Sequence, residues 1–485
     1  MFEHENDTIA AVCTGTGGAV SIVRISGPRA LEVVRTVWRG RRLPGPDCPR
    51  VMLYGRLVSD PGPNGAEDAD AGEPSLAVFM PSPHSFTGED VAEIHCHGGS
   101  FAARRALRLA LQAGARLAQN GEFTRRAFLN GKLDLTQAEA VLDLINAGSE
   151  RAGLLAERQL NGAVGSLVRD IRAEIVHLLS EAESRLDFSE EDLDWMPAEA
   201  FRDAVLALRK QASELALTAR AGILIRDGVS LVIAGPPNAG KSSLLNRLLG
   251  YERAIVTPIP GTTRDTLEES VSIGGVRFRV TDTAGLRDAG HADPVEALGM
   301  ERSRESLGAA DVVLWLLDAS EPRDVLRDRL EAMTQARSRT RARFIPCWNK
   351  MDAAGLSRET LLQAVSELPK SPASCDNSAS PGFEFISART GDGLDSLRAR
   401  LERTVWDGLP AVAQSGGTAV SERHASLLEQ AAEHLGRAAD DAMEGSWELA
   451  GSSLRTAAEL VGCITGETAT PDVLDEIFSR FCIGK

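Results

Sequence analysis

The octapeptide Gly235-Pro-Pro-Asn-Ala-Gly-Lys-Ser242 carries the residue types that grip a polyphosphate. Glycines let backbone N–H groups close on phosphate oxygens, and a helix starting there adds its positive end. Lys241 is spaced to reach the β- and γ-phosphates and the Ser242 hydroxyl to sit on Mg2+. Asn238, Ala239, Gly240 and Ser243 complete the loop. Three further elements follow. In Asp282-Thr283-Ala284-Gly285, the Asp282 carboxylate can hold Mg2+ through water and the Gly285 N–H can sense the γ-phosphate. In Asn349-Lys350-Met351-Asp352, the Asp352 carboxylate can accept both N–H groups of a guanine edge. Adenine has no such donor pair, so this element selects GTP. Ser387-Ala388-Arg389 offers backbone to the guanine O6. Four such elements in order imply phosphoryl transfer from GTP to water.

Many small GTPases orient that water with a Gln directly after Asp-x-x-Gly. Here Leu286 stands there and cannot do it. Asn238 inside the phosphate loop can either stabilise the turn or coordinate a monovalent cation. The stretch Thr257-Pro258-Ile259-Pro260-Gly261-Thr262-Thr263 can wrap carbonyls around the same ion, and the Thr263 hydroxyl can serve Mg2+. Such a cation would supply the charge that an arginine finger supplies elsewhere, worth roughly 10³ to 10⁵ in rate.

These residues need strands and helices to hold them. The apolar run Val229–Ala234 reads as a buried strand entering the loop, and Ser243–Leu249 as the helix leaving it. Runs ending at Asp282, Trp348 and Ile386 read as the strands before the other three elements. Upstream, Val20–Ile25, Val51–Leu53, Leu76–Met80 and Val91–Ile94 read as strands, Ala102–Ala113 as a helix, and 60–74 as a polar loop. Helical periodicity follows, with Ala138, Val141, Leu142 and Ile145 on one face and Leu167, Ile171, Ile175 and Leu178 on another. It resumes after Pro410. The expected organisation is therefore an α+β domain over 1–130, an all-α helical domain over 131–224 and 405–485, and an α/β GTPase domain over 225–404 inserted into it.

The chain has 485 residues and a formal net charge of −16. That balance argues against a basic surface coating nucleic acid, so any RNA contact must be local or shared with a partner. Seven cysteines in no regular framework suit a reducing cytoplasm. There is no signal-like start and no apolar run of about 18 residues, so no membrane span is expected. His95-Cys96-His97 reads as a strand end more readily than as a zinc site. The run Arg337-Ser-Arg-Thr-Arg-Ala-Arg343 reads as a solvated loop or helix end more readily than as an RNA patch. Cys482, four residues from the carboxyl terminus, is either an inert tail thiol or one tuned by Lys485.

Together, Asn238, Gly261-Thr-Thr-Arg-Asp265, Asp282-Thr-Ala-Gly-Leu-Arg287, Ser85-Phe-Thr-Gly-Glu-Asp90, Arg126-Ala-Phe-Leu-Asn-Gly-Lys-Leu-Asp-Leu135 and the closing Cys482-Ile-Gly-Lys485 resemble the MnmE (TrmE) family of bacterial tRNA modification GTPases. The terminal motif separates that family from Era-like ribosome-assembly and RNA-binding GTPases, the competing reading. The resemblance implies a tetrahydrofolate-binding-like N-terminal domain that forms a homodimer. It implies a folate site at Arg24, Glu93, Lys132 and Lys485, for 5,10-methylene-tetrahydrofolate or the 5-formyl form. It also implies K+ ligands at Asn238, Thr257, Ile259 and Thr262, hydrolysis served by Glu296 through water, and modification chemistry at Cys482. The partners implied are tRNA and an FAD-dependent MnmG (GidA) subunit in a heterotetramer, with no DNA and no membrane. The reaction implied adds an aminomethyl or carboxymethylaminomethyl group to C5 of the wobble uridine. Thr14-Gly-Thr-Gly-Gly18 departs from the family's pattern by lacking its Pro and Arg.

Overall fold

Strand β2 (Val20–Ser26) and strand β6 (Val91–His97) form the centre of the N-terminal sheet. Both alternate. Val23 and Ile25, and Ala92, Ile94 and Cys96, are buried on one face, while Arg24, Glu93 and His95 line the other. The computed structural model describes residues 7–15, 17–58, 72–187, 195–251, 269–281, 308, 310–340, 342–355, 357–366, 382–407 and 418–485. The seven strands are β1 (Ile9–Val12), β2, β3 (Trp38–Gly40), β4 (Leu53–Leu57), β5 (Glu73–Met80), β6 and β7 (Arg116–Leu117), in the order β3-β4-β5-β6-β2-β1-β7. Helices Ala30–Val37 and Ser100–Gln112 cover the apolar face, closing a core around Trp38, Phe79, Ile25 and Ile94.

Strand β4 starts at Leu53, where the sequence suggested a strand beginning at Val51. A Cβ on Gly55 would lie 2.3 Å from the Trp38 ring, so glycine leaves room for the indole at a place that reads as a break. The short β1, Ile9-Ala-Ala-Val12, carries too little alternation to be read in advance.

Helix Leu135–Asn146 begins with a reciprocal cap: Asp134 Oδ1 accepts the Gln137 N–H at 2.9 Å, and Gln137 Oε1 accepts the Asp134 N–H at 2.9 Å. The helical face read through Ile145 ends sooner than expected, because Ile145 is exposed. In helix Ala163–Asp187 the buried stripe is Val164, Val168, Ile171, Ile175, Leu178 and Ala182. Leu167 lies off it and is exposed. Helix Trp447–Thr465 packs along that helix. Helix Pro471–Ser479 then packs Leu474, Ile477 and Phe478 on Leu135 and Ala138.

The chain divides into two units, one of residues 1–142, 159–212 and 427–485, the other of 143–158 and 213–426. The second unit contains a six-stranded sheet in the order β13-β12-β11-β8-β10-β9. Its strands are β8 (Val229–Ala234), β9 (Glu269–Ile273), β10 (Val276–Thr281), β11 (Val312–Asp318), β12 (Arg343–Asn349) and β13 (Glu384–Phe385). All neighbours are parallel except β9 with β10. Strands β8 and β11 read as continuous apolar runs because helices cover both faces of a parallel sheet. Phosphate loop, β11 end and β12 end therefore meet at one edge, beyond the carboxyl ends of the strands.

Candidate functional site

Strand β8 delivers the chain into Gly235 at φ 141°, where a Cβ would lie 2.3 Å from the Leu316 carbonyl oxygen. Only glycine fits. Asn238 takes the left-handed conformation at φ 60°. Gly240 stands at φ 95°, and a Cβ there would lie 2.3 Å from Asn349 Nδ2. Lys241 opens helix Lys241–Tyr251, with Ser242 and Ser243 in its first turn. Its Nζ lies across the loop, donating to the carbonyls of Gly235 at 3.0 Å and Pro236 at 2.9 Å.

Asn349 is buried at the end of β12 and works within the protein. Its Nδ2 donates to the Ala239 carbonyl at 2.8 Å, and its Oδ1 accepts the Ala388 N–H at 2.9 Å. One side chain thus ties the phosphate loop to the Ser387–Arg389 turn. Lys350, left-handed at φ 62°, places Nζ 2.7 Å from Asp318 Oδ2. The sequence reading missed Asp318, which has no motif around it. It ends β11 directly beside Asn349 in the sheet register. Burial pushes the Asp318 carboxyl up, but the hydrogen bonds from Lys350 and Ser320 outweigh it and hold it below the usual carboxylate value.

Asp352 Oδ1 accepts the Ser387 hydroxyl at 2.6 Å, and Oδ2 pairs with Arg389 Nη2 at 2.7 Å. The Ser387 hydrogen bond, with Arg389 behind it, keeps this carboxyl below its ordinary value, so it stands ionised as an acceptor. Arg389 is 80% exposed, so water screens its pairing and a base edge can replace it. The left-handed Asn238, the two glycines that no Cβ could replace and the ionised Asp352 together fit a guanine nucleotide. Thr257, Pro258, Ile259, Pro260, Gly261, Thr262, Thr263, Asp282, Thr283, Ala284, Gly285, Leu286 and Glu296 lie outside the described residues.

The first unit gathers the remaining expected residues in two places. Arg24 Nε donates to Glu93 Oε1 at 2.9 Å, and Glu93 Oε2 is 3.1 Å from His95 Nε2. The Arg24 guanidinium lies 5.1 Å from the Phe86 ring centroid and 5.7 Å from that of Phe123. Burial pushes Glu93 up, yet His95 and Arg24 together hold it below the carboxylate range. Lys132 donates through Nζ to the Pro83 carbonyl at 3.1 Å.

The terminal motif docks on the N-terminal sheet of its own chain. The Gly121 N–H donates to the Cys482 carbonyl at 3.4 Å and the Phe123 N–H to the Lys485 carbonyl at 3.2 Å. Ile483 bridges Asn120. Gly484, at φ 98°, presses on β1: a Cβ there would lie 2.2 Å from the Val12 carbonyl oxygen. Phe123 therefore joins the two groups, with its N–H on Lys485 and its ring on Arg24. Cys13, which the sequence reading passed over, borders both. Burial raises its thiol, while Arg24 and Lys485 pull the other way. Cys482 itself is exposed. His97 Nδ1 lies 3.1 Å from Glu73 Oε1.

Comparison with known proteins gives a consistent picture. A family model described as the MnmE helical domain matches residues 135–482, and one described as the GTP-binding protein TrmE N-terminus matches residues 8–132. The chain is 42% identical over 488 residues to the tRNA modification GTPase MnmE of Symbiobacterium thermophilum, covering 99% of each. It is 42% identical over 483 residues to that of Roseiflexus sp., again covering 99% of each. Among solved structures, the G domain of the T. maritima FeoB iron transporter is 24% identical and covers 36% of this chain and 98% of that one. The TM-score is 0.25. No described helix is long and apolar enough to cross a membrane.

Proposed function

The chain belongs to the MnmE family of tRNA modification GTPases, and from there we propose that it is the GTP-hydrolysing subunit of a two-protein modifying complex. Its partner is an FAD-dependent protein of the MnmG (GidA) type, and the two form a heterotetramer around a homodimer of this chain. The product is an aminomethyl or carboxymethylaminomethyl group on C5 of the wobble uridine of certain tRNAs.

The observation that carries this reading is the docked tail. Its Cys482 and Lys485 carbonyls accept the N–H groups of Gly121 and Phe123, and the Phe123 ring lies against Arg24, which pairs with Glu93. A carboxylate held ionised between an arginine and a histidine can accept the paired N–H groups of a pterin, and phenylalanine rings can cover its face. A folate bound there would supply the one-carbon unit. Arg24, Glu93 and Lys485 would hold it, with Lys132 at the rim, and Cys482 would take part in modifying the uridine. In the other unit Ser242 and Thr263 would serve Mg2+, and Asn238 with Thr257, Ile259 and Thr262 would hold K+. Glu296 would orient the attacking water through bridging waters.

Nucleoside analysis of tRNA from a deletion strain tests the reading. We expect the wobble modification to vanish and to return with the intact gene. Normal nucleosides together with a ribosome-subunit defect would instead assign the chain to the Era-like class.

A further inference from the structure

Four arginines come together on the second unit, away from every residue assigned above. Arg343 opens β12, and Arg400 and Arg403 lie one turn apart on helix Leu394–Trp406. These three line an open cleft of about 700 Å³ with Phe344, Thr404 and Asp407. Exposed Arg220, on helix Ala219–Arg226, is close enough to Arg343 to act on its charge. The nucleotide elements sit at the other end of the strand. From Arg343 to Asn349 is six residues, about 20 Å along a strand.

The arginines exceed what their neighbours need. Arg343 donates to the Asp407 backbone carbonyl, while its Nη1 is buried and has no hydrogen-bond partner. An unmet donor of this kind is uncommon in a folded protein. Among the described residues, Arg403 reaches the Ala399 carbonyl of its own helix, at 3.3 Å. Arg400 stands 4.0 Å from Glu384, whose other oxygen already accepts the Ser396 hydroxyl at 2.8 Å. Among the described residues, Asp407 acts on Arg343 and Glu384 on Arg400, two carboxylates against four guanidiniums. Burial lowers the Arg343 pKa, Asp407 pulls it back and Arg220 adds a smaller like-charge push, so the guanidinium has lost solvation that a bound anion would replace. The chain as a whole carries −16, so the cluster is a local exception. Exposed Arg337 and Arg339 lead into it from the preceding helix. The arginine-rich run thus gains its meaning from Arg400 and Arg403, sixty residues downstream and invisible to a linear reading.

We propose that this cleft binds the phosphodiester backbone of the tRNA on which the complex acts. Guanidinium forks grip phosphate oxygens two at a time, which lysines do not. An open cleft with three arginines in its lining fits backbone contact, which carries no sequence preference. The proposal rests on the tRNA-modification reading but concerns a surface that the catalytic residues do not use. It gives the GTPase unit its own hold on the RNA.

The test is anisotropy of a fluorescein-labelled tRNA transcript titrated with the full chain at several KCl concentrations. Arg400→Gln with Arg403→Gln should weaken binding at least about tenfold at low salt. The slope of log affinity against log salt should become shallower by about 2, one counterion per lost contact. The loss should be equal for substrate and non-substrate tRNAs, and GTP turnover should stay unchanged. Arg220→Gln, on an exposed position that does not threaten folding, should give about half the slope change. Unchanged affinity and slope in these variants would overturn the site and leave the wobble-modification reading intact, since that is tested by nucleoside analysis. No binding by the unsubstituted chain at low salt would overturn the site as well. Displacement of the tRNA by polyglutamate as readily as by tripolyphosphate would assign the cleft to an acidic protein and reject RNA.

Discussion

Asn238 shows what a single residue can reveal. Its φ of 60° is a conformation that Asn tolerates better than most side chains, which alone would justify it as a turn residue. Leu286, at the position where many relatives by mechanism carry a water-orienting Gln, asks for a second source of charge. An amide oxygen inside the phosphate loop that held K+, as proposed above, would answer both. Asn238→Ala should therefore abolish the preference of GTP hydrolysis for K+ over Na+, compared at equal ionic strength. The preference in the unsubstituted chain should be large, on the order of 10² or more. A K+ response that survives the substitution would show that Asn238 only shapes the turn. Gly240, Lys241, Asn349 and Asp352, which the structure brings to one end of the sheet, were legible because each lies in a contiguous motif whose chemistry is local. Asp318 was not, because its role comes from standing beside Asn349 across two parallel strands. Cys13 was not, because nothing in its own neighbourhood announces that residues 470 positions away will pack on it.

At the scale of an element, the terminal segment is the informative case. Helix Pro471–Ser479 is anchored by Leu474, Ile477 and Phe478, and Phe481 continues the same cluster. The last residues then form hydrogen bonds to Gly121 and Phe123 rather than trailing into water. Gly484 is the hinge of this docking. A methyl group there would meet the Val12 carbonyl at 2.2 Å, and the residue already sits at φ 98°. Gly484→Ala should release the tail. Amide exchange at Gly121 and Phe123, protected in the parent, should quicken markedly, while GTP turnover stays the same. Unchanged protection would mean that β1 yields to the methyl and that the docking does not depend on this glycine. Strands with strict alternation, such as β2 and β6, announced themselves in the sequence. Strand β4 was legible only at Leu53 and β1 not at all, because a glycine that leaves room for the Trp38 ring interrupts one and alanines fill the middle of the other.

Across the whole molecule, one unit holds the phosphate loop with Asn349 and Asp352, and the other holds Arg24, Glu93, Lys132 and the docked tail. The insertion of one fold within another was readable from the change of period on either side of the GTPase motifs. The packing of the chain's last residues on Val12, Gly121 and Phe123 was readable only as far as resemblance carried it, since periodicity says nothing about which surfaces meet. The two activities should therefore separate cleanly. Cys482 lies in the first unit, and all the described nucleotide elements lie in the second. The decisive measurement is made with Cys482→Ser reconstituted with the FAD-dependent partner, tRNA, GTP and a folate donor, reading GTP turnover and the modified wobble nucleoside in the same reaction. The account predicts GTP turnover near that of the parent and no modified nucleoside. Modification at the parental rate would make Cys482 an ordinary tail cysteine and contradict the assignment of the docked tail to the chemistry.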